Sequence, residues 1–246
     1  MRAGRGRFER RWSGLRTGGL ALLAAVAIVL CLGGGVAATQ SRIVVYGPRS
    51  GSHLTLSMRG DSLVVKGWMA HAKPRGCRFA RYRDVAVCSL SDAGSVEVDM
   101  GPAGDRVEVL DRLPVPLTVH LGDGSDKFIG NGEDDTCYSE GSRRNRCVGG
   151  PGNDICITGD QNSDCVGGSG NDYCQTGDGS DGCWGGPGKD VCRMGPGEDG
   201  CHGEGGDDEL FGGPGSDQLY GGTSYDQCDG LPGWGQSHEC EAGPGR

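Results

Sequence analysis

The sequence predicts an all-β chain: a parallel β-roll, or β-solenoid, with a short irregular β region capping its N-terminal end. Three observations predict it. A nine-residue unit recurs without a gap over residues 149–229. Glycine supplies 50 of the 246 residues, about three times its usual share. The eighth residue of each unit is apolar or cysteine, as a short strand with one inward side chain requires. The constant interval marks repeat architecture rather than a disordered linker. Glycine shows no three-residue period, which excludes collagen.

The first unbroken unit is GGPGNDICI, beginning at Gly149. It is followed by TGDQNSDCV, GGSGNDYCQ, TGDGSDGCW, GGPGKDVCR, MGPGEDGCH, GEGGDDELF, GGPGSDQLY and GGTSYDQCD, which ends at Asp229. Weaker copies precede it: LGDGSDKFI, GNGEDDTCY and SEGSRRNRCV, the last with one inserted residue. Glycine is needed where dihedrals turn positive and chains approach closely. The three residues after each Asp form a strand, its middle side chain inward and its neighbours outward. Two successive units then make one coil, with strands on alternate sheets. Equivalent residues of successive coils stack about 4.8 Å apart.

The copies follow GGxGxDxUx, with U apolar. Over residues 121–229 this closely resembles the calcium-binding repeats of the repeats-in-toxin, or hemolysin-type, family. The resemblance implies a β-roll that binds one calcium ion between successive turns on each edge. The residues agree: calcium takes six to eight oxygens, which Asp carboxylates and turn carbonyls supply. One edge carries Asp135, Asp154, Asp172, Asp190, Asp208 and Asp226; the other carries Asp126, Asp181, Asp199 and Asp217. Asn145 and Ser163 interrupt the second line and weaken the expectation of calcium beside them. Gly-Asp sequences are also ordinary turn chemistry, but their register favours metal ligation.

The chain departs from that family in its core. Cysteine occupies the eighth position at Cys147, Cys156, Cys165, Cys174, Cys183, Cys192, Cys201 and Cys228, interrupted by Leu210 and Leu219, with Cys137 in a weaker copy. Successive cysteines fall on facing sheets, all inward. Pairing across the roll predicts Cys137–Cys147, Cys156–Cys165, Cys174–Cys183 and Cys192–Cys201. Cys77–Cys88 would close a hairpin and Cys228–Cys240 would tie down the tail. Against this, a disulfide needs Cα atoms within about 7 Å, whereas sheets pack about 10 Å apart. Small side chains would let the sheets approach; a shifted register of pairing, or reduced, buried thiols, are the alternatives.

The N-terminal segment, 1–38, reads as an export signal. Six arginines precede an apolar run from Leu20 to Leu32, and Val36-Ala37-Ala38 fits a cleavage site before Thr39. An uncleaved membrane anchor is the competing reading. Cleavage would remove Cys31 and leave 12 of the 13 cysteines, an even number for an oxidising compartment. It would also leave a net charge of -14, with +3 on residues 39–120 and -16 on residues 121–229. So acidic a module repels itself unless cations bind, and nucleic acid is excluded as a partner.

Residues 39–120 carry short strand patterns, from Ile43–Tyr46 to Leu117–Val119, bounded by Gly, Pro, Asp and Ser. The last three lead into the roll as irregular coils. The hairpin around Cys77 and Cys88 is the candidate cap, and a separate small β-sandwich the alternative. Residues 230–246 form a C-terminal cap or tail.

No catalytic residue is assigned. HExxH and GxSxG are absent, CxxC is absent, and His71 has no convincing Ser or Cys partner. Trp184, His202 and Tyr220 recur at every second unit, hence on one outward face, and are candidates for surface contact. The expected function is a secreted, extracellular calcium-binding β-roll, structural or adhesive, with calcium as cofactor and a cell-surface glycan or protein as partner. It is not expected to be an enzyme. A glycan-binding protein, or a hydrolase using residues 39–120, is the alternative.

Overall fold

The computed structural model describes residues 41–47, 51–67, 77–79, 84–139, 141, 143–230 and 236–240. The expected signal at 1–38, His71 and the end of the tail lie outside the described residues.

Among the described residues every regular element is a strand. Nine form one sheet in the order Ser41–Tyr46, Ala93–Asp99, Leu117–His120, Asp135–Ser139, Ile155–Thr158, Tyr173–Gln175, Val191–Arg193, Glu209–Phe211 and Gln227–Asp229. All its pairs are parallel, and each chain crossing visits the facing sheet before returning. The facing sheet has twelve strands. From Gln236–His238 back to His53–Arg59 its pairs are parallel as well. The architecture is therefore the expected parallel solenoid, and its coils reach back to Ser41–Tyr46, well before the recognisable repeats.

The register follows the sequence period. Cys156 pairs with Cys174, and Cys174 with Cys192, each step being two repeat units. The step is one residue longer from Cys137 to Cys156 and from Phe128 to Cys147, where the inserted residue falls. The loop absorbs it and the strands stay aligned, because a slip by one residue would turn every inward side chain outward.

Two inward columns form the core. In the nine-stranded sheet Val45, Val98, Val119, Cys137, Cys156, Cys174, Cys192 and Leu210 stack in line. Opposite them stand Leu54, Val107, Phe128, Cys147, Cys165, Cys183, Cys201 and Leu219. None is more than 5% exposed. Large aliphatics fill the N-terminal coils and cysteines the later ones. The substitution lets the sheets close in: Cα atoms lie 6.3 Å apart at Cys137–Cys147 and at Cys165–Cys174. The usual sheet spacing of about 10 Å, which weighed against disulfides, does not hold here because no large side chain props the layers apart.

At the N-terminal end, His53–Arg59, Ser62–Lys66, Val85–Ser89 and Cys77–Phe79 form an antiparallel ribbon. The Cys77–Cys88 disulfide joins its last two strands, and Cys228–Cys240 forms at the other end. A ribbon continuous with the coils stands where a separate β-sandwich was the alternative.

The interior pairing differs from expectation. Cys137–Cys147 forms, but Cys165 bonds to Cys174, displacing the expected Cys156–Cys165 and Cys174–Cys183 bonds. Cys156 and Cys183 remain buried thiols, while the sulfurs of Cys192 and Cys201, the expected pair, lie side by side in the core. The inserted residue lies between Cys137 and Cys147, so pairing there does not set the register of the later, equally spaced cysteines. Each sulfur then has a neighbour on either side. The sulfurs of Cys156, Cys165 and Cys174 lie within 4.8 Å of one another, as do those of Cys183, Cys192 and Cys201.

Candidate metal centre in the stacked turns

Except where Asn145 and Ser163 stand, each repeat ends its turn on an aspartate that is almost wholly inside. Asp126, Asp135, Asp154, Asp172, Asp181, Asp190, Asp199, Asp208, Asp217 and Asp226 are all at most 5% exposed. Buried carboxylates are costly unless something compensates them. Half the compensation is visible. On one edge the backbone N–H of Asp154 donates to Asp172 Oδ1 at 2.7 Å, Asp172 to Asp190 at 2.7 Å, Asp190 to Asp208 at 2.8 Å and Asp208 to Asp226 at 2.9 Å. On the other, Asp181 donates to Asp199 at 2.8 Å and Asp199 to Asp217 at 3.1 Å. Each carboxylate therefore clips its coil to the one before.

The second oxygen has no such partner. Oδ2 of Asp126, Asp154, Asp172, Asp190, Asp199, Asp208, Asp217 and Asp226 is buried and accepts no hydrogen bond, while the Asp181 carboxylate is also favoured by the Thr176 hydroxyl. Where the repeat opens on glycine, Oδ2 folds back over that residue: a Cβ on Gly185 would strike Asp190 Oδ2, and one on Gly203 would strike Asp208 Oδ2. Carbonyls of the same turns point along the stack. A Cβ on Gly186, which has φ of +109°, would overlap the Gly168 carbonyl oxygen. Glycine is required there by both dihedral and space.

The electrostatics match that geometry. Burial, reinforced by neighbouring carboxylates, pushes Asp135, Asp154, Asp190 and Asp199 up to about 7. Asp126, Asp172 and Asp208 rise to about 6, again chiefly through burial. Asp181 and Asp217 shift the same way for the same reason. A hard divalent cation would supply what the turns lack: charge to offset the carboxylates and a partner for the orphaned oxygens. The donor set is all oxygen, which suits calcium.

The departures behave differently. Asn145 Oδ1 accepts the Asp126 N–H at 2.9 Å, so it keeps the clip without the charge. The Ser163 N–H donates to Asp181 Oδ1 at 2.6 Å, while its hydroxyl turns to the Gln161 carbonyl. One residue of the line escaped the sequence reading. Asp105 occupies the place on the coil before Asp126, with its N–H donating to Asp126 Oδ1 at 2.7 Å. The stretch Gly101-Pro102-Ala103-Gly104-Asp105 holds glycine at the second and fifth places of a repeat and aspartate at the sixth, a signal hidden by alanine at the fourth.

Trp184, His202 and Tyr220 do align outward. Their rings stack face to face, with centroids 6.1 Å and 4.7 Å apart and planes within 4°. Trp184 lies over Gly182, where a Cβ would meet its ring at 2.5 Å. The stack thus covers most of its own faces and presents ring edges beside a hollow of about 330 Å³ lined by Glu204, Gly222, Thr223 and Glu239. On the other sheet, Glu97, Asp99 and His120 cluster on the outer face, where Arg42 already pairs with Glu97.

Residues 118–142, 166–199 and 202–233 match the family model of the RTX calcium-binding nonapeptide repeat, in four copies. No curated protein and no solved structure matches the chain at a significant level. Repeats of this family bind calcium ions, as the orphaned oxygens and the all-oxygen donor set of these turns require. The stacked turns of residues 118–142, 166–199 and 202–233 are thus RTX calcium-binding nonapeptide repeats.

Proposed function

We propose that the chain is an exported structural or adhesive module whose roll is folded by external calcium and fastened by disulfides. The carrying observation is the line of buried aspartates, most with one carboxylate oxygen left unpartnered. Residues 121–229 hold a net charge of -16, and stacked ionised carboxylates repel until cations intervene. Calcium is plentiful outside cells, so the repeats stay loose before export and close afterwards. The disulfides at Cys77–Cys88, Cys137–Cys147, Cys165–Cys174 and Cys228–Cys240 favour an oxidising compartment. The role is read as non-catalytic, because the acidic residues are engaged in regular turns.

The test is circular dichroism of the purified chain during a calcium titration, with ion uptake measured in parallel. A saturable gain of β signal at millimolar calcium supports the reading. A spectrum indifferent to calcium, with no saturable uptake, defeats it. The stacked Trp184–His202–Tyr220 row favours a second reading, a glycan or protein contact. Binding to a glycan panel that survives Trp184→Ala would remove it.

A further inference from the structure

We propose that the calcium ladder begins one coil before the recognisable repeats, at a site formed by the turns of Asp105 and Asp126. The inference rests on the reading that the stacked turns bind calcium, and extends it to a place that neither the repeat pattern nor the family match, which starts at residue 118, includes.

Four features of Asp105 reproduce those of the later turns. It is 4% exposed. Its Oδ1 accepts the backbone N–H of Ser52 at 2.7 Å, from the coil before. Its own N–H donates to Asp126 Oδ1 at 2.7 Å, continuing the clip to the coil after. Its Oδ2 is buried without a hydrogen bond of ordinary geometry, the Gly101 N–H adding a further stabilising influence on the carboxylate. An orphaned anionic oxygen at such depth calls for a cation. The basic residue next in sequence does not supply one: Arg106 donates to Glu108 at 3.0 Å.

The backbone cradle is also present. A Cβ on Gly122 would meet the Gly101 carbonyl oxygen, and one on Gly124 the Ala103 carbonyl. The same overlap relates Gly168 to Gly150 and Gly170 to Gly152 in the repeats. Carbonyls of the Asp105 turn thus face the Asp126 turn as they do further along. The two carboxylates and these carbonyls are oxygen donors of the kind calcium takes. The line stops at Ser52, which has no carboxylate and uses its hydroxyl to donate to Asp105 Oδ1 at 3.1 Å.

The experiment counts bound calcium per chain, by equilibrium dialysis with radioactive calcium and by native mass spectrometry. It compares the unaltered chain with Asp105→Asn, Asp105→Ser and the exposed control Asp61→Asn. The fold already accepts both replacement types at this place in the line, at Asn145 and Ser163, and asparagine keeps an oxygen for the Ser52 N–H. Both Asp105 variants should bind one ion fewer while retaining their calcium-saturated β spectrum, and Asp61→Asn should bind the full number. Equal counts in the unaltered chain and in Asp105→Asn overturn the inference while leaving calcium binding by the repeats intact. An unaltered chain that takes up no calcium overturns both.

Discussion

Withdrawing calcium above neutral pH should unfold the roll, and acidifying the metal-free protein should restore much of it. Asp135, Asp154, Asp190 and Asp199 stand at about 7 against an ordinary 3.8, because burial opposes their charged form. At ~1.4 kcal/mol per pKa unit, ionising one of them inside the metal-free roll costs about 4 kcal/mol. All four are at most 4% exposed, so water does little to screen that cost. The sum over several positions would exceed the roughly 5–15 kcal/mol of stability typical of a folded domain. The native pKa lies above the unfolded one. These groups therefore favour the fold fully below about pH 3.8 and lose that contribution as pH climbs to about 7. Calcium reverses the balance by stabilising the ionised form. The assay is far-ultraviolet circular dichroism with thermal melting in chelator at about pH 5 and about pH 8, followed by calcium addition. The metal-free chain should be folded at the lower pH, largely unfolded at the higher, and refolded there by calcium. A metal-free chain equally stable at both values would refute the reasoning.

Other perturbations separate the remaining contributions. Gly186→Ala places a Cβ on the Gly168 carbonyl at φ of +109° and should destabilise the calcium-bound chain by about 1–3 kcal/mol or more. Gly200→Ala, with open space around it, should stay within about 0.5 kcal/mol; thermal melts compare the two. Non-reducing peptide mapping should recover Cys165 joined to Cys174, and removing that bond should cost about 2–3 kcal/mol in reversible denaturation. Recovery of Cys165 joined to Cys156 would instead show the alternative register. Phe128→Ala removes a fully buried ring from the narrowing part of the core and should cost about 3–5 kcal/mol by denaturant unfolding.

Much of the site was legible in the sequence because the repeat is local. A glycine that must turn, an aspartate that ends the turn and a side chain that points inward all act within a single repeat unit. Asp154, Asp190 and Asp208 were therefore placed on one edge, and they do clip successive coils. Asp105 was missed for the complementary reason. It precedes Asp126 by a longer interval than the repeats keep, so no constant spacing points to it, and alanine at position 103 conceals the motif.

The sequence by itself determined the strand period, the inward and outward faces, the two lines of acidic turns and the placing of cysteines in the core. Each follows from the alternation of a strand and the dihedrals of a turn, which a short stretch of chain imposes on itself. Only the tertiary structure decided which thiols join, since equally spaced sulfurs have equivalent neighbours until the coils fix their offset. It also decided that the aromatic row shows its edges rather than its faces, and that the coils extend to Ser41–Tyr46. Those outcomes depend on contacts between coils distant in sequence, where distance and orientation rather than local pattern select the partner.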